Sequence, residues 1–376
     1  MRNDRFGFLV CVVMCACGGS RLSADDDPGT DTTAMGETVA PSTSMDTTTT
    51  EPGESGRETT TGASTDEGTD TTGSSAPIDP GCPACIVLAW GLEDGRGVAV
   101  DTDHVYWTDQ QAGTISRILK GGGNGTVIAD GQSTPYAVAV DDTHVYWTNF
   151  TDAGAVMRVA KDGGSVELVE ETVRPRAVAV DGAHVYWSTF EPDRGELWRR
   201  AKQLNEAPFR LQWFSRGIPD IAVGSTHVYL TTHTTTEGAF IEPPTPQGSV
   251  RAVAIDDGAD AILVGNVAQP WGIALADGRL FWINGAGEIQ PRRVTAVDTT
   301  GADVQVLASG QTDPWGITAN ATHVYWTDFT EVKALPREGG STTVLADQQN
   351  GARTITHDDD SVYWITRERV LQHPKL

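Results

Sequence analysis

Five of the eight histidines stand in one local phrase, His-Val-Tyr, at His104, His144, His184, His227 and His323. Imidazoles are common metal ligands, so such a set could form a metal centre if the fold brought its members to one ion. The cysteines suggest a second chemistry, because Cys82-Pro83-Ala84-Cys85 is a CxxC pair. Zinc would need further ligands at close spacing, haem attachment would need His where Ile86 stands, and a thioredoxin-like redox pair would need a βαβ setting. In an exported chain the pair therefore points to a small disulfide loop. A third set is cationic and aromatic: Arg96, Tyr136, Arg176, Trp271, Trp315 and Arg353, with Pro219 at the same aligned position, each stand just before a strand-like apolar run. Guanidinium groups and indole faces take anions, sugar rings and peptides. The sequence has no GxSxG element, phosphate-binding loop or HExxH, and no catalytic residue, cofactor or metal ligand is assigned from it.

These residues are positioned by a repeat. The phrase AVAVDDTHVYWTN at 137–149 recurs from Val98, Ala177, Ile221, Gly272, Gly316 and Thr354. Aligned on Trp107, Trp147, Trp187, Leu230, Trp282, Trp326 and Trp364, the seven copies are spaced by 40, 40, 43, 52, 44 and 38 residues. That period, carried by strand-length segments without helical patterning, predicts an all-β, seven-bladed β-propeller. In the second copy the expected strands are Ala137–Val140, His144–Thr148, Ala155–Ala160 and Val166–Val169, called a to d from the axis outwards. Small residues in strand a fit the crowded centre, and the Tyr and Trp of strand b fit between blades. In that geometry equivalent positions about 15 Å from the axis lie roughly 13 Å apart, far beyond metal bonds of ~2.1 Å. The histidine row is thus read as structural. The set from Arg96 to Arg353 would instead line the channel mouth, on the face where the d-to-a and b-to-c loops open.

The last copy stops after a strand c, and the missing d strand matches Ile86-Val87-Leu88-Ala89-Trp90 at the other end of the domain. Closure of the ring by this N-terminal strand would remove two open sheet edges. Tyr106-Trp107-Thr108-Asp109 and Tyr325-Trp326-Thr327-Asp328 are YWTD motifs, and Tyr146-Trp147-Thr148-Asn149 differs by one residue. Over 86–376 the chain resembles the YWTD propellers of the low-density lipoprotein receptor type and their bacterial relatives. Those receptor propellers usually have six blades against the seven counted here, and the fourth and seventh copies have lost most of the motif. The resemblance implies a fold more than a function.

Before the propeller, Arg2 and Arg5 precede an apolar run, Phe6 to Ala16, of signal-peptide length. Met14-Cys15-Ala16-Cys17-Gly18 resembles a lipobox, which makes Cys17 the expected lipidation site, and Gly18 favours the outer membrane over the inner. The expected organisation is a signal peptide over 1–17, a disordered Thr/Ser/Gly/Asp-rich linker over 18–81 and the propeller over 82–376. The linker carries 13 acids and 2 bases, and the propeller 37 acids and 23 bases. Nucleic acid is therefore a poor partner, and contact with a membrane is expected through the anchor alone. As a flexible coil the linker would reach about 45 Å.

Function follows as an expectation: a lipid-anchored, monomeric, non-enzymatic binding protein of the cell envelope. It would present Arg96, Tyr136, Arg176, Trp271, Trp315 and Arg353 to a protein, peptide or glycan. A long Thr- and Pro-rich loop, Thr232 to Gly248, is a second candidate. Two alternatives stay open: a metal-dependent hydrolase or lyase like the lactonase propellers, and a purely structural protein whose mouth arginines pair with Asp220, Asp313 or Glu93.

Overall fold

The computed structural model of the chain describes residues 79–233, 248–284 and 291–376. The signal peptide, Cys17, nearly all of the linker and most of the Thr232–Gly248 loop lie outside these. The described residues form seven four-stranded antiparallel sheets. Blade 1 comprises Gly95–Val100, His104–Asp109, Thr114–Leu119 and Thr126–Ala129, in the order a to d, and the later blades repeat it. The innermost strands neighbour one another all the way round, including Ile355–His357 of blade 7 against Gly95–Val100 of blade 1. Blade 7 takes its outer strand from the start of the domain: Ile86 pairs with Gln372, Val87 with Leu371 and Trp90 with Arg369. Arg369 also forms an ion pair with Asp79, fastening the chain just ahead of that strand.

Each residue of the repeated phrase has a separate task. The aspartate that ends strand a turns the chain: Asp141 Oδ1 accepts the N–H groups of Thr143 and His144, and its Oδ2 accepts the Tyr146 hydroxyl at 3.0 Å. Asp101, Asp181 and Asp358 do the same for Tyr106, Tyr186 and Tyr363. The tryptophan fills the gap between blades, fully buried at Trp147, Trp187, Trp282, Trp326 and Trp364. In three blades its indole N–H donates to a glutamine fifteen residues earlier: Gln132, Gln311 and Gln349. The next residue stitches blades together. The Thr148 hydroxyl accepts from the Ala137 N–H of its own strand a and donates to the Arg176 carbonyl of the next, both at 3.1 Å. Thr108, Ser188 and Thr327 repeat the stitch. Buried hydroxyls that exchange two such bonds hold their blades at one distance, and orphaning the partners would cost about 1–3 kcal/mol.

That distance restricts the facing residue to Gly97, Ala137, Ala177, Gly272 or Gly316 in five blades. A Cβ on Gly316 would meet the Arg353 carbonyl oxygen at 2.3 Å. Asp220 and Thr354 are the two exceptions, and both use the site for bonding. Thr354 donates to the Arg96 carbonyl, whereas Asp220 accepts the N–H of Ile221 and, across the blade boundary, of Ile273. Strand a is only three residues long in these two blades, Ile221–Val223 and Ile355–His357.

On the face of the a-to-b turns, ion pairs link successive blades. Lys202 lies 2.7 Å from Asp141, Lys120 lies 2.6 Å from Asp358, and Lys161 pairs with Asp101. Burial alone would raise the Asp141 pKa; the Lys202 ammonium and the N–H groups of Thr143 and His144 more than offset it and hold the group at about 2, below an ordinary 3.8. A depressed folded pKa contributes stability that is present above the unfolded value and lost as pH falls towards the folded one. We therefore expect Lys202→Met to lower stability at pH 7 by about 1 kcal/mol, after allowance for the partial exposure of the pair. Below about pH 2, where Asp141 is protonated with or without Lys202, the difference should vanish. Thermal unfolding of both proteins across this range checks the expectation; a difference independent of pH would contradict it.

The candidate mouth and its two halves

On the opposite face, the aligned position is the second residue of the inner strand at Arg96, Tyr136, Arg176, Trp271 and Trp315 and stands two residues before it at Pro219 and Arg353, and its residues divide into a packed half and a half centred on Asp94. The packed half surrounds Arg176, which is 1% exposed. Its guanidinium carbon lies 4.3 Å from the Phe190 ring centre, 4.7 Å from Trp271, 5.4 Å from Tyr136 and 5.9 Å from Phe150. Tyr136 stacks on Phe150 at 4.9 Å, and His233 packs edge-on against Trp271 at 4.6 Å. A desolvated guanidinium among aromatic faces gains about 2 kcal/mol or more from the ring quadrupoles. Nearby Asp220 is fully buried. Burial drives its carboxyl pKa well above the usual range, against the N–H groups of Ile273 and Ile221 and the charge of Arg176, all of which favour the anion.

The other half belongs to blades 6, 7 and 1, and the side chains of Asp94, Arg96 and Arg353 in it are 14%, 14% and 13% exposed. Asp94 sits between two arginines: Arg96 donates to one of its oxygens from Nε at 3.0 Å and Nη2 at 2.7 Å, and Arg353 donates to the other at 2.8 Å. Burial would raise the Asp94 pKa, but the charges of Arg96 and Arg353 override it and hold the carboxyl below its ordinary value. Trp315, in the inner strand of blade 6, is half-buried and without an aromatic partner among the described residues.

The structure thus brings Arg176, Tyr136 and Trp271 together and pairs Arg96 and Arg353 with one carboxylate, while Arg96 also lies 5.8 Å from the Tyr136 ring centre and joins the two halves. The acid chosen is Asp94, two residues before Arg96, rather than Asp220, Asp313 or Glu93; Asp313 faces Arg292 instead, at 3.3 Å. Sequence reading missed Phe150, Phe190 and His233. All three directly follow strand b, an aligned position that is also aromatic at Phe329 and would have signalled a second aromatic layer.

The histidine row lies on the far face. Each of its members opens strand b and tilts over the tyrosine two residues on, as His144 does on Tyr146 at 6.0 Å. Among the described residues no group of three or more His, Cys, Asp and Glu is placed to hold a metal ion. Cys82 and Cys85 are joined as a disulfide, and Cys82 packs against the interior of blades 6 and 7.

No protein-family profile matches the chain, and neither does any curated protein. Solved structures do. A streptogramin B lyase structure is 14% identical with a TM-score of 0.62, covering 77% of this chain and 96% of that one. Virginiamycin B lyase from Staphylococcus aureus is 14% identical with a TM-score of 0.63, covering 78% and 99%. The WD40 β-propeller domain of Doa1, also 14% identical, has a TM-score of 0.59 and coverage of 76% and 94%. At such identities the likeness is one of architecture: the chain is a seven-bladed β-propeller closed by its own N-terminal strand.

Proposed function

We propose that this chain is a YWTD-type, non-enzymatic binding protein of the cell envelope. It is anchored through Cys17, probes its surroundings on the linker as a monomer, and engages a protein, peptide or glycan at the Asp94 half of the mouth. The observation that carries the reading is the pair of guanidiniums, Arg96 and Arg353, that Asp94 holds in place between blades 7 and 1, with the half-buried Trp315 in the neighbouring blade 6. Preformed sites that combine an aromatic platform with a few oriented polar groups suit ligand capture.

The rival is a hydrolase or lyase. It draws on the fold shared with the streptogramin B lyases, but two of those structures and a WD40 domain share that fold alike. Metal analysis with a lactone and ester turnover screen separates the two readings.

Trp315→Ala is expected to weaken capture of the envelope partner on the order of 30-fold, the scale of an anchoring interface tryptophan, while thermal unfolding stays unchanged. Affinity measured for both proteins against the same purified partner checks this. Equal affinities would count against the mouth.

A further inference from the structure

The outer rim of one blade boundary is built differently from the rest. In blades 1, 2, 4, 5 and 6 the residue beside the bulge of strand d is apolar and left in solvent: Val127, Leu168, Ile262, Val306 and Val344 are between 47% and 59% exposed. Its equivalent in blade 7, Val87, is 2% exposed. Cys82 and Cys85 fill this gap, in one cluster with Val87, with Tyr325 and Ala346 of blade 6 and with Trp364 of blade 7.

Residues 79–85 grip both blades. The Gly81 carbonyl accepts the Asp347 N–H of blade 6 at 2.9 Å, and a Cβ on Gly81 would collide with the Asp347 carbonyl. Asp79, 2% exposed, accepts the Gly81 N–H at 2.8 Å with one oxygen and Arg369 of blade 7 with the other. Gln349, fully buried in the loop from blade 6 to blade 7, donates to Asp79 at 3.4 Å and to the Asp347 carbonyl at 2.8 Å, and accepts the Trp364 indole N–H at 3.0 Å. The disulfide closes the segment into a tight loop whose two cysteines are 1% and 7% exposed.

From this arrangement we infer that residues 79–85 are a one-way redox latch. Cys82 and Cys85 are oxidised before the segment seats between blades 6 and 7, and the seated segment then shields their bond from reduction. In the forming step one cysteine thiolate attacks a small disulfide oxidant, the other cysteine displaces the mixed disulfide, and the oxidant leaves as two thiols; two electrons and two protons pass to it from the chain. The step needs open sulfurs, which the unseated segment has and the seated one lacks. Reduction of the seated form has to wait for the segment to lift off. Without the bond the segment seats poorly, because unbonded sulfurs stand farther apart than bonded ones and a close-packed cluster has no spare volume for them.

The test follows the full-length chain. Dithiothreitol should reduce the folded protein at least about 100-fold more slowly than a synthetic peptide of residues 79–92, read by alkylation and mass. Arg369→Met leaves the buried Asp79 carboxylate without that cation and should speed the reduction about tenfold or more. Refolded in dithiothreitol instead of oxidised glutathione, the chain should exchange its Asp347 amide hydrogen about tenfold or more faster, the scale of a bond closing so short a loop, while amides of blades 2 and 3 stay protected. The inference is overturned if peptide and folded protein are reduced at one rate, or if Arg369→Met leaves the rate unchanged. Equal Asp347 exchange in the two refolded chains would overturn it too, as would loss of protection in blades 2 and 3 along with it.

Discussion

A chain lacking residues 82–90 is expected to be recovered as aggregate or as an expanded, non-cooperative monomer. These residues supply the outer strand of blade 7, where Val87 and Leu88 are 2% and 3% exposed and Val370 and Leu371 beneath them are fully buried. Burial of each such side chain is worth about 1.5–3 kcal/mol, and the backbone ladder from Ile86 to Trp90 adds to it. The sum is comparable with the whole stability of an ordinary domain, about 5–15 kcal/mol. The loss also opens a sheet edge and frees blade 1 from blade 7, since Leu88 and Leu92 share a core with Val98, Tyr363 and Ile365. Supplying a peptide of residues 79–92 in trans should restore a sharp thermal transition. A soluble truncated chain that melts like the parent would refute closure by this strand.

Arg176→Ala should be the most damaging single substitution at the mouth. It removes a guanidinium enclosed by four aromatic rings and leaves Asp220 without a positive charge that favours its anion. Removal of one member of a buried charged arrangement typically costs about 3–5 kcal/mol, here a fall in melting temperature of about 10 °C for a domain of this size. Arg176→Met keeps most of the volume and should recover part of the loss, whereas adding Asp220→Asn to Arg176→Ala should not, because an amide nitrogen in place of either carboxylate oxygen would face the N–H of Ile221 or Ile273. Calorimetry of the three variants distinguishes these terms. An Arg176→Ala protein that melts with the parent would mean that the cluster around Arg176 contributes nothing to holding blades 3 and 5 together.

Much of the fold was legible because the same chemistry recurs seven times. The spacing of Trp107 to Trp364 gave the blade count, and the orphan run at Ile86 gave the closure, since both depend on local sequence that repeats. The mouth was legible only as a set of positions. That Arg176 would turn inwards depends on Phe150, Phe190 and Trp271 arriving from three different blades, and that Arg96 and Arg353 would share Asp94 depends on blade 7 closing against blade 1. Neither is encoded within any single repeat.

The most direct measurement of the functional reading places a photo-crosslinking residue at Thr312, exposed on the loop beside Trp315, and in a second protein at Leu119, 53% exposed on the opposite face. Irradiated in intact envelopes, the Thr312 protein should yield a discrete adduct that Trp315→Ala abolishes, and the Leu119 protein should yield none. Adducts from Leu119 with none from Thr312 would contradict the account, since the partner would then sit on the face of the histidine row.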